Sequence, residues 1–358
     1  MAYDVVIVGA GMFGASLART LTDRGRKVLV VEKRPHVGGM CHTEIREGIV
    51  FHVYGPHVFH TNDEKIWNHV NRFAYFIPYT TRTKAVARGK LWSLPVNLMT
   101  LYQLWGVRTP RDAQAKLDSV RIPIKSPANL EEWVLSAYGE EIYETFFRGY
   151  TKKQWGRDPE QLPAAIAQRL PLRTTFEDNY FTDRYQGIPF GGYTNFFQRL
   201  LQGIEVRLGC EFQSDRQALE RLGRIVYSGR IDEYFDYRYG DLSFRSCRFD
   251  TESLAGDFQG NAVVNYCDEE IPWTRIVEHK HFTNPRHERT LVTREYPFEC
   301  GRRETPLYPV NDRTNAVLYE RYTAIPTSTV FAGRLGSYRY FDMCEVIAQA
   351  WTLADRLA

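Results

Sequence analysis

Three glycines at the end of an apolar run constrain this chain more than any other feature. Asp4-Val5-Val6-Ile7-Val8 leads straight into Gly9-Ala10-Gly11-Met12-Phe13-Gly14, so the glycines fall in the spacing G-x-G-x-x-G. A helix-like segment from Ala15 to Arg24 follows, and a second apolar run, Lys27-Val28-Leu29-Val30-Val31, stops at Glu32. Strand, glycine turn, helix, strand and acid in this order make the βαβ unit that holds a dinucleotide. Gly9 permits the tight turn, Gly11 lets backbone approach a pyrophosphate, and Gly14 lets the helix lie against the strand. The free N–H groups at the helix start face the phosphates, and Glu32 can accept hydrogen bonds from a ribose. The unit alone leaves NAD and FAD open. The glycine pair Gly38-Gly39, just past the acidic strand end, favours FAD, since backbone must pass close to the cofactor there; an ordinary Gly-Gly turn is the plainer alternative.

At 358 residues the chain is long enough for one large domain or two to three small ones with a substantial core. A formal charge of +3 with 25% charged residues gives no footprint for nucleic acid. No apolar run approaches the roughly 20 residues of a membrane helix. The six cysteines, Cys41, Cys210, Cys247, Cys267, Cys300 and Cys344, lack C-x-x-C spacing and read as reduced thiols of a cytoplasmic protein. The sequence opens in a core strand, so no secretion signal is expected. Tyrosine is abundant, with 22 residues beside 7 tryptophans. Flat faces with polar tips suit a nucleotide or sugar cleft, although most such rings simply pack.

Along the chain, His52, His57 and His60 crowd around a Gly55-Pro56 turn without acidic or cysteine partners. No metal is expected there; a loop lying over a cofactor ring is the reading. Residues 79–94 alternate around Gly89 as a hairpin. From Leu98 the pattern is helical. Ser126-Pro127-Ala128-Asn129 starts one helix with Leu130, Trp133, Val134 and Ala137 on a face, and Ile142, Phe146 and Tyr150 share the face of the next. That block ends near Trp155-Gly156. Residues 157–178 have little periodicity and are expected to form a mobile loop. Gly191-Gly192-Tyr193 opens a helix, and 205–208 and 224–227 read as strands. Residues 243–325 alternate as a mixed or antiparallel sheet, and Val330-Phe331 precedes a helix from Met343 to Leu357. The expected fold is α/β. A Rossmann-like FAD-binding domain of the two-dinucleotide-binding type would comprise 1–78, 190–240 and 326–358. An inserted helical domain would cover 95–178 and a mixed or antiparallel β-sheet domain 79–94, 179–189 and 241–325.

With these blocks in order, nearly the whole chain resembles the UDP-galactopyranose mutase family, flavoenzymes that contract galactopyranose to galactofuranose. The resemblance rests on Tyr54-Gly55-Pro56-His57-Val58-Phe59-His60-Thr61, Phe146-Phe147, Gly149-Tyr150-Thr151-Lys152-Lys153-Gln154-Trp155 and Arg169-Leu170-Pro171. Asn179-Tyr180-Phe181, Arg184-Tyr185-Gln186-Gly187-Ile188-Pro189, Asn265-Tyr266, Thr274-Arg275-Ile276-Val277-Glu278-His279-Lys280 and the run from Gly333 to Met343 complete it.

The resemblance implies that reduced FAD (FADH−) is a nucleophile: its N5 attacks the anomeric carbon and displaces the nucleoside diphosphate, which returns after the ring has contracted, with no net redox change. It implies a UDP-hexose substrate, an external reductant, a homodimer and a role in cell-surface polysaccharide synthesis. It assigns catalysis to Arg169, Arg275, His60, Tyr308 and Tyr340. It assigns the cofactor to Gly9, Gly11, Phe13, Gly14, Glu32, Lys33, Gly39, Met40, His57, Arg334, Tyr340, Asp342 and Met343. Thr81, Phe146, Phe147, Tyr150, Thr151, Trp155, Tyr180 and Asn265 would line the substrate site, with Arg169, Arg275, Tyr308 and Tyr340 at the diphosphate. The planar fork of arginine suits phosphate oxygens.

Three positions depart from the family pattern. Met40 follows the glycine pair where asparagine is usual, Ser228-Gly229-Arg230 replaces a commoner Thr-Gly-Pro, and Thr81 replaces an asparagine beside the sugar. The last bears on substrate, so a mutase for UDP-N-acetylgalactopyranose or dTDP-fucopyranose is an alternative. An amine-oxidase-like FAD oxidoreductase and a flavoprotein scaffold without turnover are more distant ones.

Overall fold

The apolar runs that open the sequence lie at the centre of a five-stranded parallel sheet. In this computed structural model, which describes residues 2–168 and 170–357, the strand order is Glu205–Leu208, Val28–Glu32, Val5–Val8, Arg224–Tyr227 and Val330–Phe331. Both faces of this sheet are covered, which is why Val28–Glu32 is buried throughout rather than alternating. Ile7 and Val30 face a core shared with the helices Met12–Asp23 and Met343–Leu357. Val6, Leu29 and Val31 face the helix Phe212–Leu222, whose Phe212 and Leu219 are buried against them. The sequence reading did not find that helix.

The glycine turn is built as its spacing demands. Gly9 has φ +105, and a Cβ on Gly14 would stand 1.9 Å from the Gly9 carbonyl oxygen and 3.2 Å from Ile7 Cγ2. The helix therefore starts directly on the end of the strand.

A second, seven-stranded sheet runs in the order Tyr308–Pro309, Phe244–Ala255, Arg289–Cys300, Arg275–Glu278, Val263–Tyr266, Lys84–Ala87 and Lys90–Ser93. Every pairing is antiparallel except that of Val263–Tyr266 with Lys84–Ala87, which makes the sheet mixed. The hairpin expected around Gly89 is present, with Arg88 and Gly89 both at positive φ, 52° and 67°, as a two-residue turn requires. Residues 243–325 are not all strand. Arg313–Thr323 is a helix whose N-terminus is capped by Asp312 accepting from the Asn315 amide. Only Asn315 and Tyr322 on it are buried, so its sequence carries almost no apolar stripe for a helical period to reveal.

The helical block begins at Leu98–Trp105 with a reciprocal Asn97/Thr100 cap. It continues through Pro110–Val120, capped by Thr109, and Leu130–Tyr138, capped by Asn129. A wider π turn over Tyr143–Phe147 precedes the last helix, Arg148–Trp155, which ends on Gly156 at φ +62. The extra residue of a π turn re-aims the side chains that follow it.

That last helix is pinned to the sheet. The Lys153 ammonium shares its N–H groups among the carbonyls of Tyr266, Asp268, Ile271 and Trp273 at 2.8, 2.7, 3.0 and 3.1 Å. Arg245 donates back to the carbonyls of Gln154 and Lys153, each at 3.0 Å. Replacing Lys153 by Met leaves those four carbonyls without their cation. The substitution should cost on the order of 3 kcal/mol and lower the melting temperature by several degrees in a calorimetric scan. An unchanged Tm would mean the loop 267–274 is held by its other contacts alone.

Candidate active site

One cavity of about 1020 Å³ opens at the carboxyl edge of the parallel sheet and runs beneath the helical block to the seven-stranded sheet. That edge is where open α/β sheets bind ligands. Every described residue that the sequence marks, from Gly9 to Met343, lines it. Arg169 lies outside the described residues.

At the parallel-sheet end, Glu32 is buried. Its Oε2 accepts the Ala10 N–H at 2.9 Å, and its Oε1 accepts the Arg34 N–H at 3.0 Å and pairs with the Arg34 guanidinium at 3.3 Å. A carboxylate has about four acceptor sites, so capacity remains for hydroxyls in the cavity. Gly39, at φ +54, approaches Gly11 so closely that a Cβ on it would stand 3.0 Å from the Gly11 Cα. Gly333, at φ +73, packs against the Phe13 side chain, where a Cβ on it would stand 3.2 Å from the Phe13 Cβ. Three chain segments thus meet through backbone, leaving a cradle that side chains would fill. Lys33, Met40 and Met343 border it, and the Met343 sulfur accepts from Cys41 at 3.7 Å. Arg334 donates to the Leu307 carbonyl at 3.0 Å and lies 4.8 Å over Tyr340 and 5.7 Å over Tyr308. Its Nε is buried with no hydrogen-bond partner among the described residues. An acid for a ribose, a backbone cradle for a pyrophosphate and an unsatisfied buried donor fit FAD.

Two of the histidines around Gly55-Pro56, His52 and His57, are held neutral by burial. His57 Nδ1 lies 2.8 Å from the Gly55 carbonyl and so carries the proton, which leaves Nε2 as an acceptor. Burial, with Arg334 and Arg275 nearby, brings its pKa down to about 4. Behind it, His52 accepts the His57 N–H at 3.4 Å, and His279 accepts the His52 N–H at 3.3 Å. The Nδ1 atoms of these rings are engaged with backbone, while His52 Nε2 is buried with no partner among the described residues. His60 is different: it stacks on Phe181 at 3.7 Å, with Nδ1 2.8 Å from Asp183 and Nε2 4.0 Å from Asp342. Asp183, itself held by Asn62 at 2.7 Å, was missed in the sequence because no spacing ties it to His60.

At the far end, Arg275 is half-enclosed by an ion pair to Glu295 at 3.1 Å and a hydrogen bond to the Tyr150 hydroxyl at 3.4 Å. Burial opposes its charge, but Glu295 and the phenols of Tyr150, Tyr308 and Tyr180 outweigh it, and its pKa lies well above the ordinary value. Burial pushes Tyr150 up to about 12 against the pull of Arg275, and moves Tyr308 upward likewise. Glu295 sits directly opposite Arg275 in the antiparallel register, as Asn265 does on the other side. Glu295 was also missed, because in sequence it is one more member of an alternating strand. Tyr308 and Tyr340 stack at 6.3 Å, and Trp155 lies 6.3 Å from Tyr308. Phe146 and Phe147 reach the cavity but also pack on Trp92 and Tyr138 in the helical core. Thr151 is buried at the same end. Thr81 gives its carbonyl to the Tyr180 N–H at 2.8 Å, and its own hydroxyl is buried with no partner among the described residues.

The cavity thus offers two places that suit a diphosphate, a neutral backbone cradle and a part-buried arginine among phenols, joined by an aromatic wall. Comparison with known proteins agrees with that chemistry. The UDP-galactopyranose mutase family model matches residues 145–340, and an NAD(P)-binding Rossmann-like model matches residues 7–73. A probable UDP-galactopyranose mutase of Klebsiella pneumoniae is 40% identical over 98% of this chain and 94% of its own length. A dTDP-fucopyranose mutase of Escherichia coli is 41% identical over 97% of this chain and 96% of its own. The crystal structure of a reduced UDP-galactopyranose mutase superposes with a TM-score of 0.79 at 15% identity, covering 100% of this chain and 94% of that one, a likeness of fold.

The Thr81 hydroxyl yields a stability prediction. Replacing a buried, unpartnered hydroxyl by a methyl of the same shape is close to neutral or stabilising. Thr81→Val should leave the Tm of the ligand-free protein unchanged or raise it by about 1–2 °C. A fall of several degrees would mean the hydroxyl is satisfied within the protein itself.

Proposed function

The chain belongs to the UDP-galactopyranose mutase family and is therefore a nucleotide-sugar pyranose mutase, an isomerase; within that class we propose that it converts UDP-galactopyranose to the furanose form, using reduced FAD. The observation that carries this reading is Arg275, a guanidinium held at the cavity wall by Glu295 and Tyr150, with the aromatic side chains of Tyr150, Trp155 and Tyr308 beside it.

Bound and reduced, the flavin would supply a nucleophilic nitrogen at the anomeric carbon. The residues of the chain hold, orient and neutralise. Gly9, Gly11, Gly14 and Gly39 present backbone to the cofactor pyrophosphate, and Glu32 takes the ribose. Arg334, Phe13, Lys33, Met40, Tyr340, Asp342 and Met343 surround the rest, and neutral His57 offers its Nε2 as an acceptor. Phe146, Phe147, Tyr150, Thr151, Trp155 and Asn265 take the nucleoside, where an aromatic face can stack on the base. Arg275, with Tyr180, Tyr308 and Tyr340, holds the diphosphate. Its charge matters most when the sugar–oxygen bond has broken and the leaving oxygens are most negative, because fixed donors in a low-dielectric site need no reorganisation then. Arg169 is assigned the same role from the segment after Gln168. His60, flanked by Asp183 and Asp342, is placed to hold a proton as the ring opens and recloses.

Thr81 supports a second reading. Its hydroxyl is shorter than the amide usual there, and the similarity to a dTDP-fucopyranose mutase makes dTDP-fucopyranose, or UDP-N-acetylgalactopyranose, the competing substrate. No helix of the described residues is long and apolar enough to cross a membrane. A cytoplasmic homodimer, reduced by an external donor and supplying a furanose for surface polysaccharide, belongs to the same proposal.

The dithionite-reduced protein, given UDP-galactopyranose, UDP-N-acetylgalactopyranose and dTDP-fucopyranose in parallel, should form a furanose product by chromatography and should form none while oxidised. Equal turnover in air without reductant contradicts the mechanism; a preference for dTDP-fucopyranose selects the second reading. Arg275→Ala should lower kcat about 100-fold or more with FAD content retained, and Arg275→Lys should recover only part of it. Near-normal kcat in Arg275→Ala would put the diphosphate elsewhere.

A further inference from the structure

Behind Arg275 lies a carboxylate that the reaction as described does not use. Glu295 is 3% exposed, and while its Oε2 pairs with Arg275 at 3.1 Å, its Oε1 is buried with no hydrogen-bond partner among the described residues. Oε1 points at the Gly55 turn, where a Cβ on Gly55 would stand 3.2 Å from it. The ion pair balances the Arg275 charge in the free protein, although the Arg275 Nε makes no hydrogen bond among the described residues. A diphosphate brings two further negative charges up to the part-buried guanidinium that Glu295 already pairs, and like charge crowded beside a buried carboxylate disfavours its ionised form.

We propose that Glu295 is a positioning residue that exchanges its ion pair for a proton: it holds Arg275 in the free protein and becomes a neutral carboxylic acid when the substrate diphosphate takes over the guanidinium. The proposal rests on the diphosphate site assigned above. Protonated, the Oε1 side gains an O–H that can donate, and Arg275 is released to face the phosphate with its full charge.

Among the described residues packed around Glu295, the other titratable groups are pushed away from neutrality. Burial already pushes its carboxyl upward against the pull of Arg275. Across from it, burial takes Tyr150 up to about 12 and moves Tyr308 upward. Burial and the Glu295 charge raise Cys247 on the neighbouring strand. His57, beyond the Gly55 turn, lies near 4. Arg275 keeps its proton throughout. A pKa raised further by the ligand means that affinity is greatest below the free-protein pKa and is lost as pH rises through the pKa of the complex.

The test is calorimetric titration of the oxidised, FAD-loaded protein with UDP-galactose, whose diphosphate diester does not itself titrate near neutrality, in buffers of different ionisation enthalpy. The wild type should take up about one proton per bound nucleotide at some pH between roughly 5 and 8. Glu295→Gln, which keeps the side-chain shape and an acceptor for Arg275, should take up none, and its affinity should lose the wild-type pH dependence. Infrared difference spectra should show a protonated-carboxyl band on binding to the wild type that is absent from Glu295→Gln. Binding without proton uptake, or with equal uptake by both proteins, overturns the proposal and leaves the nucleotide site standing. Binding of UDP-galactose that Arg275→Ala does not weaken overturns the site itself.

Discussion

Everything in this molecule is hung on a contact between two stretches of bare backbone. The Gly9 carbonyl occupies the space, 1.9 Å away, where any side chain at position 14 would begin. Because of that, the first helix starts at the very end of the first strand with its free N–H groups aimed over the sheet edge. The parallel strands on either side then end along the same edge, and Gly39 and Gly333 close in with the same economy of side chain. The floor of the cavity is therefore peptide backbone. Dipoles of that kind hold a pyrophosphate without placing a net charge in the interior.

Several charges elsewhere in the cavity are met by partners. Glu32 is met by two backbone N–H groups and Arg34, Arg275 by Glu295 and phenols, and Arg334 by a carbonyl and two rings. His57 on that wall, and His52 and His279 behind it, are kept neutral by burial. An isolated charge in such a place costs several kcal/mol, so each partner acts as a stand-in that a ligand can displace. A cofactor pyrophosphate at the backbone cradle and a substrate diphosphate at Arg275, as proposed above, would each meet prepared donors rather than having to reorganise the protein.

The two walls of the cavity come from different parts of the chain, and their spacing is set by a few long-range ties. Lys153 gathers four carbonyls from the turn joining Val263–Tyr266 to Arg275–Glu278, and Arg245 returns two hydrogen bonds to the helix that carries Lys153. The same helix bears Tyr150 and Trp155, and the same hairpin bears Asn265 and Arg275. A shift of one strand by one residue would turn Arg275 to the opposite face of the sheet. The π turn before the helix acts in the same sense, since it sets the angle at which Tyr150 enters the cavity.

The sequence alone determined what depends on neighbours along the chain. The glycine turn, the hairpin at Gly89, the caps at Asn97 and Asn129 and the closing helix Met343–Leu357 are local, because a positive φ, a capping amide or an apolar stripe is written within a few residues. The motif blocks likewise carried the cavity-lining residues, which are contiguous short runs. What depends on register was decided only by tertiary structure. Glu295 becomes the partner of Arg275 because two strands 20 residues apart align it there, and Asp183 meets His60 across 123 residues. The helices Phe212–Leu222 and Arg313–Thr323 bury too few apolar residues to announce a period, and they form because the sheets beside them need covering. Side-chain identity is a local property, whereas the company a buried charge keeps is fixed by packing over the whole fold.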